Sequence, residues 1–262
     1  MHTEPIDPDA CLNQLRAGRH FADNPRCIFL AGSLVRGWGN ATSDLDVYVV
    51  SDDRWQGESV EEAPVNLSIP TVPINAFYIA GRRWDIEYWQ TAQIDQLLQA
   101  VSWTEYDRGA LRDRNFTGYE VNVIERMGYG VAALGSEWLE ATRGELHGSA
   151  LATHLVTQRM HMADIFVEDA VGQLQSQDYE SAVLSARRAL GCTVDALMAS
   201  CGEFGGDQKW RARRFRSVKQ DVLNFQEYWH LETMASYQDK RAPAWVEEVL
   251  ETCRRVATNM EL

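Results

Sequence analysis

The stretch that decides the fold is LAGSLVRGWGNATSDLDVYVV, Leu30–Val50, in which the pair Gly32-Ser33 precedes two aspartates, Asp44 and Asp46, set one residue apart in an apolar run. In a β-strand, residues two apart point to the same face, so Asp44 and Asp46 project together while Leu45 and Val47 point into a core. Carboxylates held side by side repel each other unless a cation lies between them. Magnesium favours carboxylate oxygens and leaves positions open for substrate phosphates, which makes it the usual partner of such a pair. Upstream, Gly32 lets the backbone come close to a phosphate, and Ser33 offers both an N–H and a hydroxyl. Together these residues read as a site for a metal-bound triphosphate.

Working outward, residues 26–31 and 44–50 have the short, β-branched or aromatic character of strands, and the Gly- and Asn-rich segment between them reads as a turn with one helical turn at most. Residues 51–66 are acidic and aperiodic, which predicts a surface loop. Asn75–Ala80 and Arg83–Trp89 predict a hairpin joined at Gly81-Arg82. Beyond Trp89 the pattern turns helical and stays so. Leu155, Met162, Phe166, Ala170 and Leu174 form one helical stripe, and Tyr179, Val183, Ala186, Leu190 and Leu197 form a second. The glycines of CGEFGG (201–206) end that second helix, and Pro243 opens a last one whose inward residues are Trp245, Val249, Leu250, Cys253 and Val256. The fold class is α+β: a small mixed-sheet domain with flanking helices over residues 1–112, then a helical bundle over 113–262.

GSLVRGWGNATSDLDVYVV resembles the signature of the DNA polymerase β-like nucleotidyltransferase superfamily: Gly, then Gly or Ser, about ten residues, then Asp, an apolar residue, Asp or Glu, and another apolar residue. Gly32, Ser33, Asp44, Leu45, Asp46 and Val47 match it position for position, with Ser43 just before the acids. The resemblance implies that Asp44 and Asp46 hold the metals and that a third carboxylate lies on a later strand. RRWDIEYW supplies Asp85 in the expected apolar setting. Glu87 shares its face, so one of the two binds metal while the other takes the proton from the attacking hydroxyl; Asp85 is favoured as metal ligand or base. Two magnesium ions, ATP or another nucleoside triphosphate as donor, and release of pyrophosphate follow from the same resemblance.

The layout, a small catalytic domain followed by helices, is similar to that of aminoglycoside nucleotidyltransferases. It implies a cleft between the two parts and an acceptor hydroxyl on a small molecule, an antibiotic or a biosynthetic intermediate. In those enzymes a basic residue of the helical domain meets the triphosphate, and the basic segment KWRARRFRSVK (209–219) offers Lys209 and Arg211 for that task. Trp210, Phe215, Tyr228 and Trp229 read as core.

Composition sets the outer bounds. The 262 residues are 45% apolar, enough for one large domain or two modest ones. Five scattered cysteines with no paired spacing read as reduced thiols in a cytoplasmic protein. No run approaches the roughly 18 apolar residues of a membrane span, and the N-terminus lacks a signal pattern. The net charge of −13 leaves both halves acidic on balance, which excludes long nucleic acid as a partner and suits metal ions or a cationic acceptor. Two other readings stand beside small-molecule transfer: a regulatory or antitoxin-like enzyme modifying a protein or a tRNA end, and a non-catalytic nucleotide-binding relative. The second predicts a broken acid set, and the acids here are complete. No histidine follows an arginine at five residues, so the Arg-x-x-x-x-His of partner ribonucleases is absent.

Overall fold

The computed structural model describes residues 6–21 and 24–261. In chain order the elements are α1 (Pro8–Ala17), β1 (Cys27–Ala31), α2 (Gly32–Val35), β2 (Leu45–Ser51), β3 (Glu61–Pro64), β4 (Thr71–Ile79) and β5 (Arg82–Gln90). There follow α3 (Thr91–Ala100), α4 (Trp103–Asp107), α5 (Ala110–Asp113), α6 (Gly118–Tyr129), β6 (Val131–Leu134) and α7 (Ser136–Gly148). The remaining helices are α8 (Leu151–Gln175), α9 (Tyr179–Ser200), α10 (Arg211–Ser217), α11 (Phe225–Glu232) and α12 (Ala242–Asn259).

The six strands form one mixed sheet in the order β3-β4-β5-β2-β1-β6. Only β2 and β5 run parallel; every other pair is antiparallel. Alternation along these strands sorts the side chains. Leu45, Val47 and Val49 of β2 join Ile28, Leu30, Trp84 and Ile86 in a core covered by Cys11, Leu12 and Leu15 of α1. Asp46, Asp85 and Glu87 therefore belong to the opposite face.

The strands at the centre fall where the sequence puts them, and the departures lie at the periphery. The hairpin turns one residue earlier than expected, at Ala80-Gly81, because both residues have positive φ (50° and 79°), the combination a two-residue turn needs. The segment expected to be loop contains β3, an edge strand whose Glu61, Glu62 and Pro64 are exposed; charge and proline are what keep an open sheet edge from pairing further. The stretch expected to be helical throughout contains β6, which pairs with β1 across a bulge at Ile28/Phe29.

The chain divides into two compact units between Ala150 and Leu151, not near residue 112. The reason is that α6, β6 and α7 are tied to the sheet: β6 extends it, and Arg143 of α7 donates to the carbonyls of Met127 and Gly130. In the second unit α9 is the most buried helix, packed against Phe166 and Ala170 of α8 and Trp245, Val246, Val249 and Cys253 of α12. Gly202, at φ 81°, turns the chain just after α9, and a proline sits in the first turn of α12, both as the sequence indicates. Within the stripes, Met162 and Tyr179 are exposed, Tyr179 being the first residue of α9. Phe215 and Tyr228 are core, while Trp229 is exposed and Trp210 half-buried. No helix among the described residues is long and apolar enough to cross a membrane.

Candidate active site

Parallel pairing of β2 with β5 sets Asp46 directly opposite Asp85, and Tyr48 opposite Glu87. Asp44 lies one step before β2 and is exposed, so the three aspartates share one end of the central strand pair. The loop leading to Asp44 is tied by its own side chains. The Ser43 hydroxyl accepts from the Asn40 N–H at 2.9 Å, and the Asn40 side-chain oxygen accepts from the N–H and hydroxyl of Thr42. Ser43, expected among the nucleotide-binding residues, thus spends its hydroxyl on the turn.

Gly32 follows Ala31, which pairs with Asp46 across the β1–β2 ladder, and its φ is +79°. A Cβ at Gly32 would lie 1.7 Å from Oδ2 of Asp46. Only glycine accepts both that backbone conformation and that approach. Gly32→Ala is accordingly expected to lower stability by about 1–3 kcal/mol and to turn the Asp46 carboxylate away. Thermal denaturation checks the first effect, and an unchanged melting temperature would contradict it. Ser33 is half-buried beside it, its carbonyl accepting from the N–H groups of Trp38 and Gly39.

Electrostatics follow from burial. Removal from water pushes the Asp46 carboxyl above its ordinary value; the Arg126 guanidinium pulls it back, and the nearby charges of Asp85 and Asp44 push it up again. Arg126, from α6, places Nη2 at 3.5 Å from Asp46 Oδ1. Arg83 places Nε at 2.8 Å from Asp85 Oδ1. Glu87 lies deeper. It accepts from the Tyr48 hydroxyl at 3.1 Å and from the Trp89 indole N–H at 2.8 Å, and burial raises it to about 7 against the pull of those donors and of Arg126.

Among the described residues, no three acidic, histidine or cysteine side chains stand gathered as a ready cation cage. Asp46 is turned to Arg126 and Asp85 to Arg83. The residues nevertheless suit a hard divalent ion: three carboxylates share one sheet end, the charges of Asp85 and Asp44 add to burial in raising Asp46, and Gly32 lets the Asp46 carboxylate lie against the backbone. Asp44, Asp46 and Asp85 are the side chains that would hold it.

The basic segment is divided. Arg211 is buried, giving Nε and Nη2 to the two carboxylate oxygens of Asp195 at 3.1 and 2.9 Å, with its guanidinium lying against Gly191. Its expected reach to a triphosphate is corrected to an internal ion pair, since Asp195 and the missing Gly191 side chain form a seat for it. Arg214 joins the same carboxylate at 2.9 Å. Lys209 is exposed and pairs with Asp207 at 3.1 Å.

Sequence reasoning missed Arg126, Tyr48, Trp89 and Arg83 as neighbours of the acids. Arg126 follows Val123 by three residues and adjoins Met127, both buried, which places it at the margin of the inward face of α6. That signal is generic, and its pairing with a residue 80 positions away has no local trace.

No protein-family model matches the chain, and no curated protein matches it. Among solved structures it resembles a nucleotidyltransferase-like protein from Exiguobacterium sibiricum 255-15, with a TM-score of 0.50 and 7% identity over 96% of this chain and 75% of that one. At this identity the likeness is one of fold, and the fold is nucleotidyltransferase-like.

Proposed function

We propose that the chain is a metal-dependent nucleotidyltransferase that moves a nucleoside monophosphate, AMP from ATP, to a hydroxyl of a small molecule such as an aminoglycoside-like antibiotic or a biosynthetic intermediate. The observation that carries this reading is the facing of Asp46 and Asp85 across parallel strands, with Gly32 held against Asp46. Divalent magnesium, when bound, supplies neutralisation of the triphosphate and of the departing pyrophosphate. Asp44 and Asp46 hold the charge that fixes it. Gly32, having no side chain, lets the Asp46 carboxylate lie against the backbone at the start of α2. The acceptor oxygen bonds to the α-phosphorus, the bond from that phosphorus to the α,β-bridging oxygen breaks, pyrophosphate leaves, and Asp85 is assigned the uptake of the hydroxyl proton. The net charge of −13 suits a cationic acceptor.

Glu87 is assigned a supporting place, since both of its oxygens are occupied by Tyr48 and Trp89. Asp85→Asn is therefore expected to abolish turnover. Glu87→Gln, whose amide can still accept from Trp89 and donate to the Tyr48 oxygen, is expected to retain it within about tenfold. Loss in the second variant alone would reverse the assignment. The reading as a whole is tested by incubating the protein with each α-labelled nucleoside triphosphate, magnesium and a panel of acceptors. Label on small molecules supports it; label on protein or RNA would move the acceptor to a macromolecule.

A further inference from the structure

The reading of the acid edge as a cation site leaves two arginines unexplained. Arg126 and Arg83 each contact one of the facing aspartates, Arg126 on Asp46 at 3.5 Å and Arg83 on Asp85 at 2.8 Å. They arrive from different elements, α6 and β5. We propose that Arg126 and Arg83 are built-in counter-ions, positioning residues that neutralise Asp46 and Asp85 when no metal is present and that a divalent cation must displace. The inference rests on the cation-site reading, and three observations support it.

Asp46 and Asp85 are directly opposed, so a folded chain without a cation needs positive charge at both. Each receives one guanidinium. The seat of Arg126 is also incomplete: its Nε is buried and has no hydrogen-bond partner, and its contact with Asp46 lies at the outer limit of a hydrogen bond. A carboxylate whose pairing with its arginine is this long remains available to a stronger cation, although burial makes the charge of Arg126 felt more strongly than that of an exposed arginine. Finally, each pair commits one oxygen of its aspartate to a guanidinium, and among the described residues no three ligating side chains stand gathered as a cation cage. Arg83, with its side chain 48% exposed, is the weaker of the two competitors because water screens it.

The test is calorimetric titration of the full chain with manganese(II) alone, comparing the native protein with Arg126→Gln, Arg126→Lys and Arg83→Gln. Removing a competitor is expected to tighten binding, by about threefold to tenfold for Arg126→Gln. Arg126→Lys, which keeps the charge, should stay near the native affinity, and Arg83→Gln should tighten less than Arg126→Gln. Unchanged or weaker binding in Arg126→Gln would overturn the proposal, because an arginine that only shapes Asp46 weakens the site when lost. If Arg126→Gln does not fold, Arg83→Gln decides: its side chain is exposed, and an unchanged affinity there overturns the proposal. A native protein that binds no manganese defeats the cation-site reading itself, whereas native binding without tightening in the variants defeats only this inference.

Discussion

Asp46→Asn is expected to lower nucleotidyl transfer by at least about a hundredfold, the loss that follows from removing a few kcal/mol of transition-state charge stabilisation. Asparagine keeps the shape of the side chain and one oxygen, so the strand pairing of β2 with β1 and β5 is undisturbed. What it removes is the charge at the centre of the acid edge. Arg126 then loses its partner, but its side chain is 20% exposed and retains some water, so the melting temperature should fall by only a few degrees. Rate of label transfer and thermal denaturation, measured on the same preparation, separate these two effects. Retained transfer with an intact fold would remove Asp46 from the machinery.

The second large effect is on stability, in the other unit. Asp195→Ala is expected to cost about 3–5 kcal/mol, because it leaves two buried guanidiniums without their shared carboxylate. Arg211 contributes two hydrogen bonds to Asp195 and Arg214 a third. Arg214 has almost no exposed surface and can recover nothing from water. Arg211 would keep only Glu232, whose nearest oxygen is 3.9 Å from its Nη1. Carbonyl oxygens of Gly205 and Asp207 still accept from Arg214, but they carry no net charge. Chemical denaturation checks the value, and a loss below about 1 kcal/mol would mean that Glu232 and solvent replace Asp195.

These two sites show where a sequence speaks and where it falls silent. Asp44, Asp46 and Asp85 were legible because alternation is local: the apolar neighbours Leu45, Val47, Trp84 and Ile86 fix which face each aspartate takes. Their meeting across β2 and β5 required only that the two strands be neighbours. Arg126 and Arg211 were not legible in the same way. A charged residue in a helix reads as solvated unless its partner is known, and Asp46 and Asp195 are partners that only the fold brings near. Edge strands escaped for a related reason. Glu61, Glu62 and Pro64 in β3 lack the apolar run that marks a central strand, since an edge is kept polar, whereas β6, Val131–Leu134, is apolar throughout but only four residues long and is flanked by helices, too short to stand out from them. The boundary at Ala150 was displaced because α6 and α7 look like any other helices in sequence; only the pairing of β6 with β1 shows that they belong with the sheet.

The central claim, that the edge formed by Gly32, Asp44, Asp46 and Asp85 is a cation-dependent triphosphate site, is tested most directly without an acceptor. Calorimetric titration with a non-hydrolysable ATP analogue should show binding in the presence of magnesium, loss of that binding when a chelator is in excess, and the same loss in Asp46→Asn. Binding of equal affinity with chelator present, or undiminished in Asp46→Asn, would contradict it.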